Sequence, residues 1–174
     1  KELSLQYQNS CFDGFELSPQ AFEICKKKEA VHVKFYFKNL LMENNHYDCL
    51  LCIDVFEHVD DYLGFIKGLK PKAEYKIFHI PLDLSVFSIL TNLTIKARES
   101  IGHIHYFTKE TALATLRDCD YIIIDSFYTT SFIDMPSRTL KGKLAKLPYR
   151  FFFWLSPCLT VRILGGSALM VLAK

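Results

Sequence analysis

The hydrophobic pattern of this chain turns on Tyr47–Asp61, YDCLLCIDVFEHVDD. Cys49–Ile53 is an unbroken apolar run. A half-exposed strand would alternate polar and apolar positions, so an unbroken run predicts a strand covered on both faces, as in a parallel sheet. Asp54, Glu57 and His58 follow at once. Titratable groups therefore gather just past the C-terminal end of the strand, where open α/β sheets bind their ligands.

The flanking pattern alternates strands with helices. Lys1–Asn9 reads as the tail of a helix and Cys11–Leu17 as a short strand. Ser18-Pro19 is a helix start, because the hydroxyl caps a free N–H and proline has its φ preset for the first turn. That helix runs to about Lys28, with Lys26–Lys28 set against the negative end of its dipole. His32–Phe37 places Val33, Phe35 and Phe37 on one face of a strand, and Asn39 follows its end. After Tyr47–Ile53, Asp60 or Asp61 caps a helix over Tyr62–Leu69 that Pro71 closes, and Ala73–Ile80 is a strand ended by Pro81. Leu84–Ile101 is helical but less regular. Thr108 caps a helix over Lys109–Asp118 with Ala112, Leu113 and Leu116 inward, and Asp120 takes the left-handed turn behind it. Tyr121–Phe127 is a strand, and Gly165-Gly166 turns the chain into a last strand, Ser167–Ala173. This order predicts an α/β fold with a mostly parallel sheet, flanking helices and right-handed crossovers.

Composition narrows the function. Half of the 174 residues are hydrophobic, enough for one domain with a real core. The 21 Lys and Arg nearly balance 19 Asp and Glu, which gives no support for general nucleic-acid binding. The six cysteines are scattered, mostly in apolar segments, and suit a reducing, cytoplasmic setting better than a disulfide framework. Cys49 and Cys52 form a CxxC, but positions i and i+3 of a strand face opposite ways. They read as two buried core thiols. In the 136–165 segment Arg138, Lys141, Lys143, Lys146 and Arg150 precede Phe151-Phe152-Phe153-Trp154-Leu155. Arg150, Pro157 and Arg162 interrupt it far short of a membrane span. It reads as a lid or interface insertion. A homodimer contact and a peripheral contact with anionic lipid or a lipid-linked acceptor both stay open.

Three stretches, FDGFELSPQAFEICK, YDCLLCIDVFEHVDD and GHIHYFTKETALATLRDCDYIIID, together resemble the class I S-adenosylmethionine (SAM)-dependent methyltransferases over nearly the whole chain. The first resembles the family's second strand, whose terminal acid holds the cofactor ribose. The second resembles the fourth-strand motif with its EHV ending. The third resembles the helix leading into the sixth strand. The resemblance implies a Rossmann-like sheet with an antiparallel last strand, SAM as cofactor, and a small-molecule, glycan or lipid-linked methyl acceptor. It assigns Glu16 to the ribose hydroxyls, Asn39 to the adenine amine, Leu17 and Leu40 to the adenine faces, and Cys52 and Ile53 to the methionine part. The family's first strand and its Gly-rich loop, E/D-x-G-x-G-x-G, have no counterpart here. We therefore expect at least one more strand and helix upstream, on the order of 30 residues by the size of a βαβ unit.

Methyl transfer is an in-line displacement, so the enzyme chiefly aligns the nucleophile and excludes water. A hydroxyl acceptor also needs a base that titrates near neutrality. His58 is the first candidate for that base, followed by His103 and His105, which share a face if GHIHYF is extended. Asp54-x-x-Glu57-His58 resembles the acid-x-x-Glu-His of the ubiquinone-pathway O-methyltransferases, where it can hold a divalent ion. Mg, Mn and Zn all suit such donors, and the metal is left open. Two other readings of the chain compete with this one: a catalytically inactive Rossmann-like binding module, and a nucleotide-binding oxidoreductase, which the EHV and GHIHYF segments do not suggest.

Overall fold

The computed structural model describes residues 2–130 and 140–174. They fall into two compact units, Lys1–Asn45 and His46–Lys174.

The first unit is a βαβ element behind a short helix, α1 (Glu2–Gln6). Strands β1 (Phe12–Phe15) and β2 (Val33–Tyr36) pair in parallel, from Phe12 opposite Val33 to Phe15 opposite Tyr36. Between them runs α2 (Pro19–Lys26), with Pro19 in its first turn and the Ser18 hydroxyl accepting from the Ala21 N–H. The expected signals thus act where they stand, though the helix stops two residues earlier than expected. Phe22 packs on Phe37 and Phe15 stacks on Tyr36, both at 5.4 Å between ring centres.

The second unit is a four-stranded sheet in the order β3 (Tyr47–Ile53), β4 (Ala73–Pro81), β6 (Ala168–Ala173), β5 (Ile123–Thr129). β3 and β4 are parallel, while β6 runs antiparallel to both β4 and β5. Three strands therefore point one way, and only the last is reversed. Among the described residues the helices of this unit are α3 (Tyr62–Leu69), α4 (Val86–Leu90), α5 (Leu93–Ile101), α6 (Lys109–Asp118), α7 (Leu140–Leu155) and α8 (Pro157–Leu164). Asp61, not Asp60, caps α3, and Thr108 caps α6 as its sequence implies. Leu84–Ile101 is divided because Asn92 adopts a left-handed conformation between α4 and α5. Asp120 is left-handed after α6, as expected.

The core is aromatic. Phe56 is fully buried and meets Phe78 and Phe107 edge-on at 6.3 and 5.3 Å. Tyr121 packs against Phe78 and donates its hydroxyl to the Ile66 carbonyl at 2.9 Å.

Strand β3 departs from expectation. Leu50 and Cys52 are buried, but Cys49 is exposed, and Leu51 and Ile53 keep 48% and 44% of their surface. Exposure alternates along the strand: Leu50 and Cys52 point into the core, while Cys49, Leu51 and Ile53 lie on the opposite face, which is not covered among the described residues. An apolar run therefore did not mean two-sided burial, and only one thiol of the CxxC belongs to the core.

Two features fix the approach to β6. The buried Tyr149 of α7 donates to the Gly165 carbonyl at 2.7 Å and lies 2.9 Å from the Ser167 hydroxyl. Gly165 has φ 70° and ψ −150°, a conformation open essentially to glycine alone. A Cβ there would stand 2.8 Å from the Ser85 hydroxyl. Gly165→Ala is expected to cost roughly 1–3 kcal/mol through backbone strain. It should appear as a lower urea midpoint with an unchanged slope. An unmoved midpoint would show that the turn relaxes freely.

Candidate functional site

In the first unit, Glu16 closes β1 and faces the start of α2. Its Oε1 accepts from the N–H groups of both Leu17 and Ser18 at 2.8 Å. The helix start thus holds one carboxylate oxygen and orients the other. Leu17 is exposed and Leu40 half-buried. Asn39 uses its side-chain oxygen to cap the short 3-10 turn Leu40–Met42, accepting from the Leu41 N–H at 3.0 Å. The oxygen expected to meet an adenine amine is thus already one bond committed.

In the second unit the polar groups collect at the C-terminal ends of β3 and β4. Asp54 follows β3 with φ 50°, rare for a residue other than glycine, and its Oδ1 lies 2.6 Å from His79 Nδ1. His79 Nε2 meets the Thr129 hydroxyl at 2.8 Å, joining β3, β4 and β5. Asp54, His79, Asp83, Ser85 and Gly165 line part of one cavity of about 330 Å³. Cys52 turns its thiol into the core, where burial first, and then the nearby Glu57 and Asp54, push it up to about 12. Only Ile53, of the two residues assigned to the cofactor here, offers an exposed side chain.

Beyond Asp54, a 3-10 turn over Phe56–His58 is anchored by the buried Phe56. The Glu57 carbonyl accepts from the N–H groups of Ile104 and His105 at 2.9 and 3.1 Å, which pins GHIHYF to the turn. His58 Nδ1 lies 3.0 Å from the Gly102 carbonyl, and His103 Nδ1 lies 2.6 Å from Asp83 Oδ2. Carbonyl and carboxylate oxygens accept, so each ring directs an Nδ1 proton to its partner and turns Nε2 toward Glu57. These Nε2 atoms stand 3.9 and 4.0 Å from Glu57 Oε1, with the two rings 4.9 Å apart. His105 differs: its Nε2 bonds the Val59 carbonyl at 2.9 Å and its ring lies on Tyr62.

The Glu57 side chain is fully buried, and neither carboxylate oxygen has a hydrogen-bond partner among the described residues. Burial pushes this carboxyl up to about 7, and the negative charges of Asp54 and Asp83 add to the effect.

Of the expected histidines, the structure brings His58 and His103 together and sets His105 apart. It also separates the expected Asp54, Glu57, His58 trio, because Asp54 turns to His79 while Glu57 and His58 meet His103. His79 and Asp83 were missed. His79 had the signal that singled out Asp54: a polar residue at the end of an apolar strand, here in YKIFHIP. Arg138 lies outside the described residues, as do the side chains of Lys141 and Lys143. On α7, Phe151 and Phe152 are exposed and Trp154 keeps 77% of its surface. Among the described residues no helix is long and apolar enough to cross a membrane.

No family model matches this chain, and no curated protein matches it by sequence. Solved structures do. Magnesium protoporphyrin IX methyltransferase from Synechocystis, with bound S-adenosylhomocysteine (SAH), aligns over 94% of this chain and 63% of its own, at 13% identity and a TM-score of 0.58. The fold is that of the class I SAM-dependent methyltransferases. Cyclopropane synthase MmaA2 from Mycobacterium tuberculosis aligns over 99% of this chain and 73% of its own, at 13% identity and a TM-score of 0.65. The N-methyltransferase NodS from Bradyrhizobium japonicum, in complex with SAH, aligns over 94% and 65%, at 10% identity and a TM-score of 0.55. The chain thus spans less than two thirds of the length of the Synechocystis methyltransferase and of NodS, and the methyltransferase fold accounts for its mostly parallel sheet and reversed last strand.

Proposed function

We propose that this chain belongs to a SAM-dependent methyltransferase. The observation that carries the reading is the methyltransferase fold with an acid, Glu16, at the end of β1 and oriented by the start of α2. An acid at a strand end suits two ribose hydroxyls, as in dinucleotide folds. Asn39 would serve the adenine amine, with Leu17 and Leu40 on its faces.

The acceptor would bind at the C-terminal ends of β3 and β4, where such sheets bind ligands. A hydroxyl acceptor would give its proton to Nε2 of His58, whose side chain is the more exposed of the two. The exposed aromatic side chains of α7, beside Lys146 and Arg150, favour a glycan or small molecule carried on a lipid. An acceptor screen in which lipid-linked substrates are turned over no better than free ones would remove that preference.

Calorimetry on the full-length protein tests the central claim. SAM and SAH should each bind with one site per chain. Absence of both heats, with the fold intact by circular dichroism, would leave an inactive binding module of the same fold.

A further inference from the structure

We propose that α7 and α8 form a docking face for an anionic lipid bilayer, with Trp154 seated at the level of the headgroups. Two observations carry it: a second apolar face on α7, and the sign of the charge around it.

The inner side of α7 belongs to the core. The buried Tyr149 and the half-buried Phe153 stack at 6.1 Å, and Phe153 meets Tyr128 edge-on at 6.3 Å. The outer side is apolar as well. Leu147, Phe151, Trp154 and Leu155 recur at i, i+4, i+7 and i+8, the spacing of one helical face. Each keeps more than half of its surface. On α8, Leu159 and Ile163 repeat the pattern at i and i+4 and are also exposed. A surface helix ordinarily turns polar residues outward, so an apolar outer stripe marks a contact.

Charge selects the partner. Residues 138–174 hold seven of the 21 Lys and Arg and none of the 19 Asp and Glu, so the rest of the chain is net negative. Helical spacing puts Arg150 beside the outer stripe, with Lys146 one turn before it. A two-fold contact sets one patch against its own copy, and these cations would then face their like. An anionic surface complements them instead. Exposed Trp and Phe flanked by Lys and Arg also form the composition of helices that lie in the headgroup region, where an amphipathic ring and long basic stems are both accommodated. Docking stays peripheral. Among the described residues no helix is long and apolar enough to cross a membrane, and Tyr149 ties the inner side of α7 to the Gly165 carbonyl. The proposal does not rest on the methyl-transfer reading, because vesicle binding is measured without SAM or turnover.

The test uses full-length protein with vesicles of phosphatidylcholine alone and of phosphatidylcholine and phosphatidylglycerol in equal parts. Trp154 is the single tryptophan of these 174 residues and reports from the proposed face itself, with Trp154→Phe as the spectral background. The protein should sediment with the anionic vesicles, and less so as salt rises. Trp154 emission should shift to the blue and be quenched by lipids brominated on the acyl chain. Trp154→Ala should weaken partitioning roughly tenfold. Arg150→Gln should weaken it about fivefold, on the anionic vesicles alone. Both side chains are exposed, so circular dichroism should show an unchanged fold. The proposal is overturned if wild type binds neither vesicle, if the two vesicles bind alike, if binding leaves Trp154 emission unchanged, or if Trp154→Ala binds as tightly as wild type. It is overturned equally by a lipid-free dimer whose Trp154 emission is already blue, which would show that a second copy covers the face.

Discussion

Replacing His58 by alanine is expected to lower methyl transfer by roughly 10²–10⁴-fold while leaving SAM affinity nearly intact, the scale on which a positioned proton acceptor acts. The reason is local. His58 ends the turn that Phe56 anchors, and the Gly102 carbonyl holds its Nδ1, which leaves Nε2 on the other side of the ring. The variant gives up one hydrogen bond to a carbonyl at an exposed site, so only a modest loss of stability is expected. Turnover, SAM affinity and urea midpoint should be measured on the same full-length preparation. Unchanged turnover per folded molecule would show that His58 only ties the turn to Gly102. Turnover lost but restored by added divalent ion would show that His58 acts by holding an ion and not as the base.

The second large effect is expected at Glu16. Glu16→Ala in the full-length protein should weaken SAM binding by roughly 1.5–3 kcal/mol, the range for hydrogen bonds to a charged group, or about 10–150-fold in Kd. The carboxylate has two jobs, and the experiment has to separate them. Its Oε1 holds the Leu17 and Ser18 N–H groups at the start of α2, so some loss of stability is expected in any case. Glu16→Gln keeps an acceptor for those groups while removing the charge. If Glu16→Gln restores stability but not SAM affinity, the charge serves the ribose. Equal affinity for SAM in wild type and Glu16→Ala would confine Glu16 to the helix start.

The contrast between Glu57 and its neighbours shows how far the chain can be read without coordinates. Spacing made Asp54, Glu57 and His58 look like one set. It could not show that the left-handed backbone at Asp54 sends its carboxylate to His79, on a strand 25 residues later. Nor could it show that the Glu57 carbonyl pins GHIHYF, which carries His103 to Glu57 and His105 away to Val59. Both outcomes depend on contacts between segments far apart in sequence.

Local chemistry was legible wherever one residue acts on its own backbone. Ser18-Pro19 opens α2, Thr108 caps α6, Asp120 takes a left-handed turn, and Gly165 and Gly166 adopt positive φ before β6. Those features follow from side-chain oxygens, a fixed proline φ and a missing Cβ, which act over a few residues. The alternation of strands and helices likewise carried the sheet's mostly parallel sense, because βαβ crossovers leave few alternatives. Burial was different. Leu50 and Cys52 lie in the core while Cys49, Leu51 and Ile53 do not, although all five look alike in the sequence. Only the packing of one face of β3 on the core, and not of the other, separated them. Likewise, only the folded turn left the Glu57 carboxylate buried between two histidines.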